Sequence, residues 1–344
     1  MVAIMDAQAT KPPSKPSPIG ALIRRPETGS FLGMLAVFCF FVIFGQANFI
    51  SAAGVASWLN VAATLGIVAL PVGLLMIAGE LDISIGSMIP AGSMVFAIIS
   101  GYFGLPVWAG MGAALLLGVV IGLINGFMVL KTSVPSLIVT LGTLFAVAGL
   151  TLSLSVLITG TTSVAVAPPP FVKSILGDFI GGMFQVTIFW WLGIAAVFAF
   201  ILHYSPVGNW IFALGGDKVS ARNAGIPTER ITILLFVTSS VSASFVGLSQ
   251  AILFNSAQVS SGSSFIFNSI ISVVVGGVLL TGGYGSIIGI VMGTVTFAIV
   301  NQGIYFTSFD ANLASLIIGV LMLIAVLLNN TFRKMALSYS SKKK

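Results

Sequence analysis

The sequence predicts an all-α polytopic membrane protein of about ten transmembrane helices, and three observations carry that reading. Residues 31–328 contain ten stretches of roughly twenty mostly apolar residues with almost uncharged interiors, the length a helix needs to cross a bilayer. Only 6% of the 344 residues are charged and 57% are hydrophobic, against about 25% charged in a soluble protein, so water would not keep this surface dissolved. The basic residues fall almost entirely on one side of the alternating connecting segments, as the positive-inside rule requires.

Taken in order, the predicted spans cover residues 31–49, 57–78, 84–102, 106–130, 134–158, 184–204, 231–254, 265–281, 286–306 and 311–328. Ahead of them, residues 1–30, with Pro12, Pro13, Pro16, Pro18 and Pro26, read as a disordered cytoplasmic tail. Residues 331–344 read as a basic cytoplasmic tail, leaving 31–330 as one ten-span domain. The apolar run after Arg24 and Arg25 has the order of an export signal, but its thirty-residue lead is too long for one. With the amino terminus inside, the inner segments hold Lys11, Lys15, Arg24, Arg25, Lys131, Lys218, Arg222, Arg230, Arg333, Lys334 and Lys342 to Lys344. Those are thirteen of the fourteen basic residues, and the outer segments hold Lys173 alone. Miscounting by one span destroys this asymmetry, so an even count with both termini cytoplasmic follows. The same placement accounts for the net charge of +6 without nucleic acid as a partner.

Trp58, Trp108, Trp190, Trp191, Trp210 and Tyr204 fall near predicted span ends, where amphipathic rings anchor among lipid headgroups. In the fourth span Gly118, Gly122 and Gly126 lie four apart on one helical face, which allows close packing of a neighbouring helix. A single cysteine, Cys39, supports neither a disulfide framework within the chain nor a cysteine metal site, and no metal site is expected.

Within the spans no His, Asp and Glu stand at catalytic spacing, so no catalytic residue is predicted. An ion-driven carrier needs an ionisable group at membrane depth, and this chain offers almost none. Glu80 and Asp82 lie at the turn between spans two and three. Asp82 is read as capping a helix that opens at Ile83, with Ser84 assisting, against the alternative of a direct transport role. His203 is read as an interfacial residue. Segments 79–86 and 282–289 share a faint echo at two inner turns, too weak to establish related halves. Nor does any Gly-x-x-x-x-Gly-Lys loop exist to cradle nucleotide phosphates, so energy for uphill movement must come from another subunit.

The largest break in the apolar pattern is the polar segment 213–227 after span six. Asp217 is a sound N-cap, Gly225 suits a left-handed C-cap and Pro227 blocks continuation. The enclosed helix of about seven residues is marginal alone in water and persists when packed against something, the bland alternative being a frayed polar loop.

That loop resembles the coupling segment of sugar permeases in ATP-binding-cassette importers of the ribose, xylose and autoinducer-2 type. Four more blocks, in the same order, resemble that family. Gly79 to Gly86 is similar to its Gly-Gly-Ile-Asp-Leu-Ser-Val-Gly signature, and Pro135-Ser136-Leu137-Ile138-Val139-Thr140-Leu141-Gly142-Thr143 to its Pro-Ser-Phe-Ile-Val-Thr-Leu-Gly-Thr block. Gly276 to Ser286 is similar to its Gly-Gly-Thr-Ser-Leu-x-Gly-Gly-x-Gly-Ser turn, and Asn301-Gln302-Gly303 to its Asn-Asn-Gly. Departures are Glu80 in place of the second signature glycine, Val278 where Thr is frequent, and Gln302 in place of the second asparagine.

The resemblance implies a subunit of the bacterial inner membrane that transports a monosaccharide or related polyol and is not itself an enzyme. It implies a second copy of the chain as a homodimer, a cytoplasmic subunit that binds ATP and Mg, a periplasmic sugar-binding protein, and membrane lipid around the spans. By carry-over Asp217, Lys218, Ser220, Arg222 and Gly225, within a coupling segment 205–229, contact the ATPase, and Gly79, Glu80, Asp82, Ser84 and Gly86 form the signature turn. A neutral, hydroxyl-rich solute calls for hydroxyls and amides along its path rather than fixed charges, and Asn60, Thr64, Asn125, Thr140, Thr143, Asn301 and Gln302 are the candidates. Buried polar ties between helices are an equal alternative for each. The outer loops 159–183 and 255–264 are expected to meet the delivery protein. The rival reading is a secondary carrier or facilitator working without an ATPase.

Overall fold

The computed structural model describes residues 27–310 together with positions 316, 319–320, 322–324 and 326–327. The predicted tail residues 1–26, the basic tail and most of the tenth span lie outside the described residues. Helix α1 (Glu27–Phe44) opens four residues earlier than predicted, directly after Pro26, with Glu27 placed favourably in its first turn. Gly45 separates it from the single turn α2 (Gln46–Ile50). Ser51 then caps α3 (Ala52–Ile77) by accepting the Gly54 amide at 3.1 Å.

Helix α4 (Ile85–Ala97) continues through a π-helical turn to Tyr102. Pro106 and Pro135 immediately precede α5 (Val107–Lys131) and α6 (Ser136–Thr159), and Gly160, at φ 74°, ends α6. The next connection carries β1 (Ser163–Ala165), the short helix α7 (Pro170–Leu176), and a hairpin of β2 (Phe179–Ile180) with β3 (Phe184–Gln185). Helix α8 (Thr187–Tyr204) leads to α9 (Pro206–Gly216) and α10 (Lys218–Asn223). Helix α11 (Thr228–Phe254) ends at Asn255 in the left-handed conformation, and β4 (Ser256–Gln258) pairs antiparallel with β1. Helices α12 (Ser263–Val275) and α13 (Ile287–Gly303) follow, the latter running into a 3-10 turn to Phe306.

Among the described residues eight helices are long and apolar enough to cross a membrane: α1, α3, α4 with its π turn, α5, α6, α8, α11 and α13 with its 3-10 turn. The predicted eighth span, 265–281, is corrected. Helix α12 has only 13 residues, about 20 Å at 1.5 Å per residue, short of the ~30 Å hydrocarbon core. The reason is glycine: Gly277, Gly282 and Gly283 take φ of 90°, 82° and 74°, which a helix cannot contain.

The helices form an inner set and a surround. In α3, 83% of the membrane-crossing window is buried, and α4, α11 and α13 are similarly enclosed, whereas α6 is buried over only 22%. Helix α5 lies on α11 through the predicted glycine face: a Cβ at Gly118 would stand 2.8 Å from Val241 Cα, and one at Gly126 3.0 Å from Ile233 Cα. One predicted anchor is also corrected. Trp191 is 2% exposed, its indole lying where a side chain at Gly66 would be, so it is a core residue of the α3–α8 contact rather than a headgroup anchor.

Candidate functional site

Two polar regions stand out, at opposite ends of α3. The first is the turn between α3 and α4. Gly79, at φ 83°, leaves the helix, and the following residues run as extended chain whose amides are met by side chains of α6: Leu81 N–H donates to Ser136 Oγ at 3.1 Å, and Ile83 N–H to Thr140 Oγ1 at 3.3 Å. Asp82 Oδ1 accepts from both the amide and the hydroxyl of Ser84, at 2.9 and 2.6 Å. The helix opens at Ile85, not Ile83, so Asp82 shapes the approach to the helix and does not cap it. Asn125 Nδ2 donates to Ser84 Oγ at 3.0 Å, and Thr143 Oγ1 donates to Asn125 Oδ1 at 2.6 Å, closing a chain from the turn through α5 to α6. Asp82 Oδ2 lies by Ser239 of α11 without closing a hydrogen bond. Gly86 is buried against Ile266 of α12.

Four glycines, Gly79, Gly215, Gly282 and Gly283, bring three segments of backbone together beside this turn. Gly283 N–H donates to Ile77 C=O at 2.8 Å, joining the loop before α13 to the end of α3. A Cβ on Gly215, near the end of α9, would overlap the Ile77 carbonyl oxygen and stand 2.6 Å from Gly283 N. One on Gly282 would lie 2.9 Å from Gly79 Cα. The two segments that share the sequence echo are therefore in contact, with the end of α9 packed on both.

Helix α10 projects from this junction. Asp217 Oδ1 accepts the Ser220 amide at 2.6 Å, and Gly225 stands at φ 81° two residues past Asn223. Bonds from the Ser220 hydroxyl and amide hold the Asp217 carboxyl below its ordinary pKa. Ala221 turns into the protein, Val219 and Arg222 turn out, and Arg222 reaches Glu229 at 3.6 Å. Lys218 Nζ donates to Glu80 Oε1 at 3.1 Å across 138 residues of sequence. Sequence reading assigned no element to residues 205–212, between span six and the polar segment 213–227, and α9 occupies that stretch.

The second region is a cavity of about 270 Å³ at the other end of α3. Its walls are Asn60, Thr64, Gln185, Gln250, Ser264, Asn268 and Asn301 with Phe254, Phe265, Phe297, Val61 and Leu65, contributed by α3, β3, α11, α12 and α13. Asn60 spends its amide on the hairpin, donating to Met183 C=O and accepting from Gln185 N–H, both at 2.8 Å. Gln302 lies off the cavity and holds Asn301, its Nε2 donating to Asn301 Oδ1 at 2.8 Å. Gln250 and Asn268 make no side-chain hydrogen bond among the described residues, so their amides are available to a solute. Among the described residues no charged side chain lines the cavity.

Of the predicted path residues the structure brings Asn60, Thr64 and Asn301 together here, with Gln302 behind them. Asn125, Thr140 and Thr143 stand apart, their polar groups engaged by the α3–α4 turn. Sequence reading missed Gln185, Gln250, Ser264 and Asn268; their amide and hydroxyl chemistry was visible, but nothing in linear order marks which polar residues converge. A further cavity of about 240 Å³ between α4, α5 and α6 is lined by aliphatic side chains and Thr151, whose hydroxyl donates to Val147 C=O at 2.7 Å; it offers nothing to hold a polar solute.

Comparison with known proteins accounts for most of this chain. Residues 54–326 match the family described as branched-chain amino acid transport system / permease component. The probable ABC transporter permease protein y4mJ of Sinorhizobium fredii is 34% identical over 281 residues, covering 79% of this chain and 82% of that protein. The autoinducer 2 import system permease protein LsrD of Photorhabdus laumondii is 30% identical over 264 residues, 76% of this chain and 78% of that one, and LsrD of Yersinia pseudotuberculosis is 29% identical over the same length. No solved structure matches. The chain belongs to this permease family, as a multi-pass inner-membrane subunit of an ATP-binding-cassette importer whose ATP hydrolysis lies on a separate chain.

Proposed function

We propose that this permease carries a neutral, polyhydroxylated solute of monosaccharide size, and that the amide-lined cavity is part of its path. The cavity's lining is the observation that carries the reading. A branched-chain amino acid is a zwitterion, and a site for it needs a cationic or amide-N–H cradle for the carboxylate and an anionic partner for the ammonium. Among the described residues the cavity has no acidic or basic side chain. It has amides that both donate and accept and three phenylalanine rings, which suit the hydroxyls and the C–H faces of a sugar or a sugar-derived signal such as the autoinducer named for the LsrD relatives.

The fuller arrangement we infer has ten crossings, one of them made by α12 together with the loop that follows it, with both termini cytoplasmic on the thirteen-to-one division of basic residues, and residues 31–330 as one permease domain. That orientation puts α10 and the α3–α4 turn on the cytoplasmic side, where the ATPase works, and the hairpin and cavity on the side from which a substrate-binding protein delivers. Two copies of the chain present two α10 helices to an ATPase that holds ATP and Mg. Asp217, Ser220 and Gly225 maintain α10, and Val219 and Arg222 supply its outward face. Closure of the ATPase on ATP then biases a two-state equilibrium between inward- and outward-open packings of the spans.

Reconstitution of the permease with its ATPase and binding protein in liposomes tests this reading. ATP-dependent uptake of labelled ribose or autoinducer-2, with no uptake of leucine, is the expected outcome, and Asn268→Leu with Gln250→Leu should lower it roughly tenfold by removing two amides from the path. Leucine uptake, or accumulation of sugar under an ion gradient without ATP, overturns it.

A further inference from the structure

We propose that Glu80 and Lys218 are a positioning pair through which displacement of α10 reaches the walls of the cavity at the far end of the molecule; the inference rests on the transport reading above. A six-residue helix has too few internal bonds to hold its own place. Beyond the chain's continuity with α9 and α11, the local Arg222–Glu229 pair and the burial of Ala221, the Lys218–Glu80 contact at 3.1 Å is, among the described residues, the ion pair that fastens α10 to a distant part of the fold. Glu80 stands where the resembling signature has glycine, so this chain has added a side chain at that point.

The contact is not an ordinary surface pair. The Glu80 side chain is only 13% exposed, and its backbone is bolted to α3, since Glu80 N–H donates to Leu75 C=O at 2.9 Å. Three residues before Glu80, Ile77 C=O accepts Gly283 N–H, which ties in the loop that starts α13. A movement of Lys218 is therefore felt at the ends of α3 and α13 together. Those two helices carry Asn60, Thr64 and Asn301 into the cavity at their opposite ends. Along α3 the separation from Ile77 to Asn60 is 17 residues, about 26 Å of helix at 1.5 Å per residue, continuous through Pro71 although that residue donates no intrahelical bond. Lys218, with its ammonium turned onto Glu80, thus serves the transmission within the permease, while the outward Val219 and Arg222 are left for the ATPase.

The test uses the full permease–ATPase complex and needs no identified solute. In a Cys39→Ser background, spin labels at Ile180 on the hairpin and Phe267 on α12, both exposed beside the cavity, report its opening as an interlabel distance with and without ATP. The distance is expected to shift on ATP binding in the parent. Glu80→Lys and Lys218→Glu should each abolish the shift while the ATPase still co-purifies, and the two together should restore it. Glu80→Gln, which keeps the size and a weaker acceptor, should leave a partial shift and keeps the test valid where charge reversal prevents folding. A normal shift in either single reversal, failure of the double reversal to restore it, or loss of ATPase co-purification with Lys218→Glu overturns the pair's role. A parent complex that binds ATPase and ATP but shows no shift overturns the transport mechanism instead, and the inference falls with it.

Discussion

Asp82 shows how much of a permease can depend on one turn. Its Oδ1 is the acceptor for two donors of Ser84, and Ser84 in turn receives Asn125, which receives Thr143. Buried polar chains of this kind are strong when complete and costly when interrupted. Asp82→Asn preserves an oxygen for Ser84 and turns an amide toward Ser239, so the apparent melting temperature of the purified protein should stay near that of the parent. Asp82→Leu strands the Ser84 amide and hydroxyl, at about 1–3 kcal/mol for each buried group left unpaired, and should lower the melting temperature clearly. Equal behaviour of the two variants would remove the chain of bonds as the reason for the turn's shape. The individual residues were legible as polar and membrane-adjacent. What a linear reading lacks is the meeting of Ser84 with Asn125 on α5, and for that reason it left path lining and helix-to-helix ties as equal alternatives for Asn125, Thr140 and Thr143.

At the level of elements, regular signals were readable and interruptions were not. The glycine face of α5 follows from helical spacing alone, and the structure puts α11 on it. Helix α12 defeats the same approach, because hydropathy averages across the Gly276–Gly277 break that stops it. Helix α9 was hidden for the opposite reason: Gly215, Gly216 and the polar residues after them masked an apolar helix begun by Pro206. The start and stop residues of α10 were plain, since a cap and a left-handed glycine are local chemistry. Its pH dependence is equally local. With the Asp217 pKa lowered by Ser220, the cap's contribution is complete above 3.8 and is lost only as the pH falls through the lowered value, so coupling should not weaken between pH 6 and 8 on account of this helix. Arg222 permits a cleaner test. Its pair with Glu229 at 3.6 Å is exposed on both sides and worth little to stability. Arg222→Glu should therefore leave the permease folded and assembled while uptake per ATP hydrolysed falls at least several-fold, and unchanged uptake would remove α10's outward face as an ATPase contact.

For the molecule as a whole, composition alone decides the solvent, because a chain with 6% charged residues has no other stable environment than lipid. The cavity is the least legible feature, being assembled from five elements that the sequence scatters between residues 60 and 301. Orientation lies between these extremes. It rests on a sum over short segments, in which Lys173, its ammonium donating to Asn255 Oδ1 at 3.3 Å, is the single basic residue assigned outside against thirteen inside. Reporter fusions read the sum directly. A fluorescent protein that folds only in the cytoplasm should be bright after residue 344 and after Asn223, and dark when inserted at Gly181 and Gly182, where the hairpin turn is exposed. The fusion at 344 decides the parity: with eight described helices of membrane-crossing length, and α12 with its following loop carrying the chain from the cavity to Gly283 beside Ile77, the predicted tenth span, 311–328, is what would bring the carboxyl terminus back to the side of α10. A dark carboxyl-terminal fusion beside a bright one at Asn223 would remove 311–328 as a crossing, because α12 with its following loop already leads from the cavity wall at Ser264 and Asn268 to Gly283 beside Ile77, at the α10 end of α3.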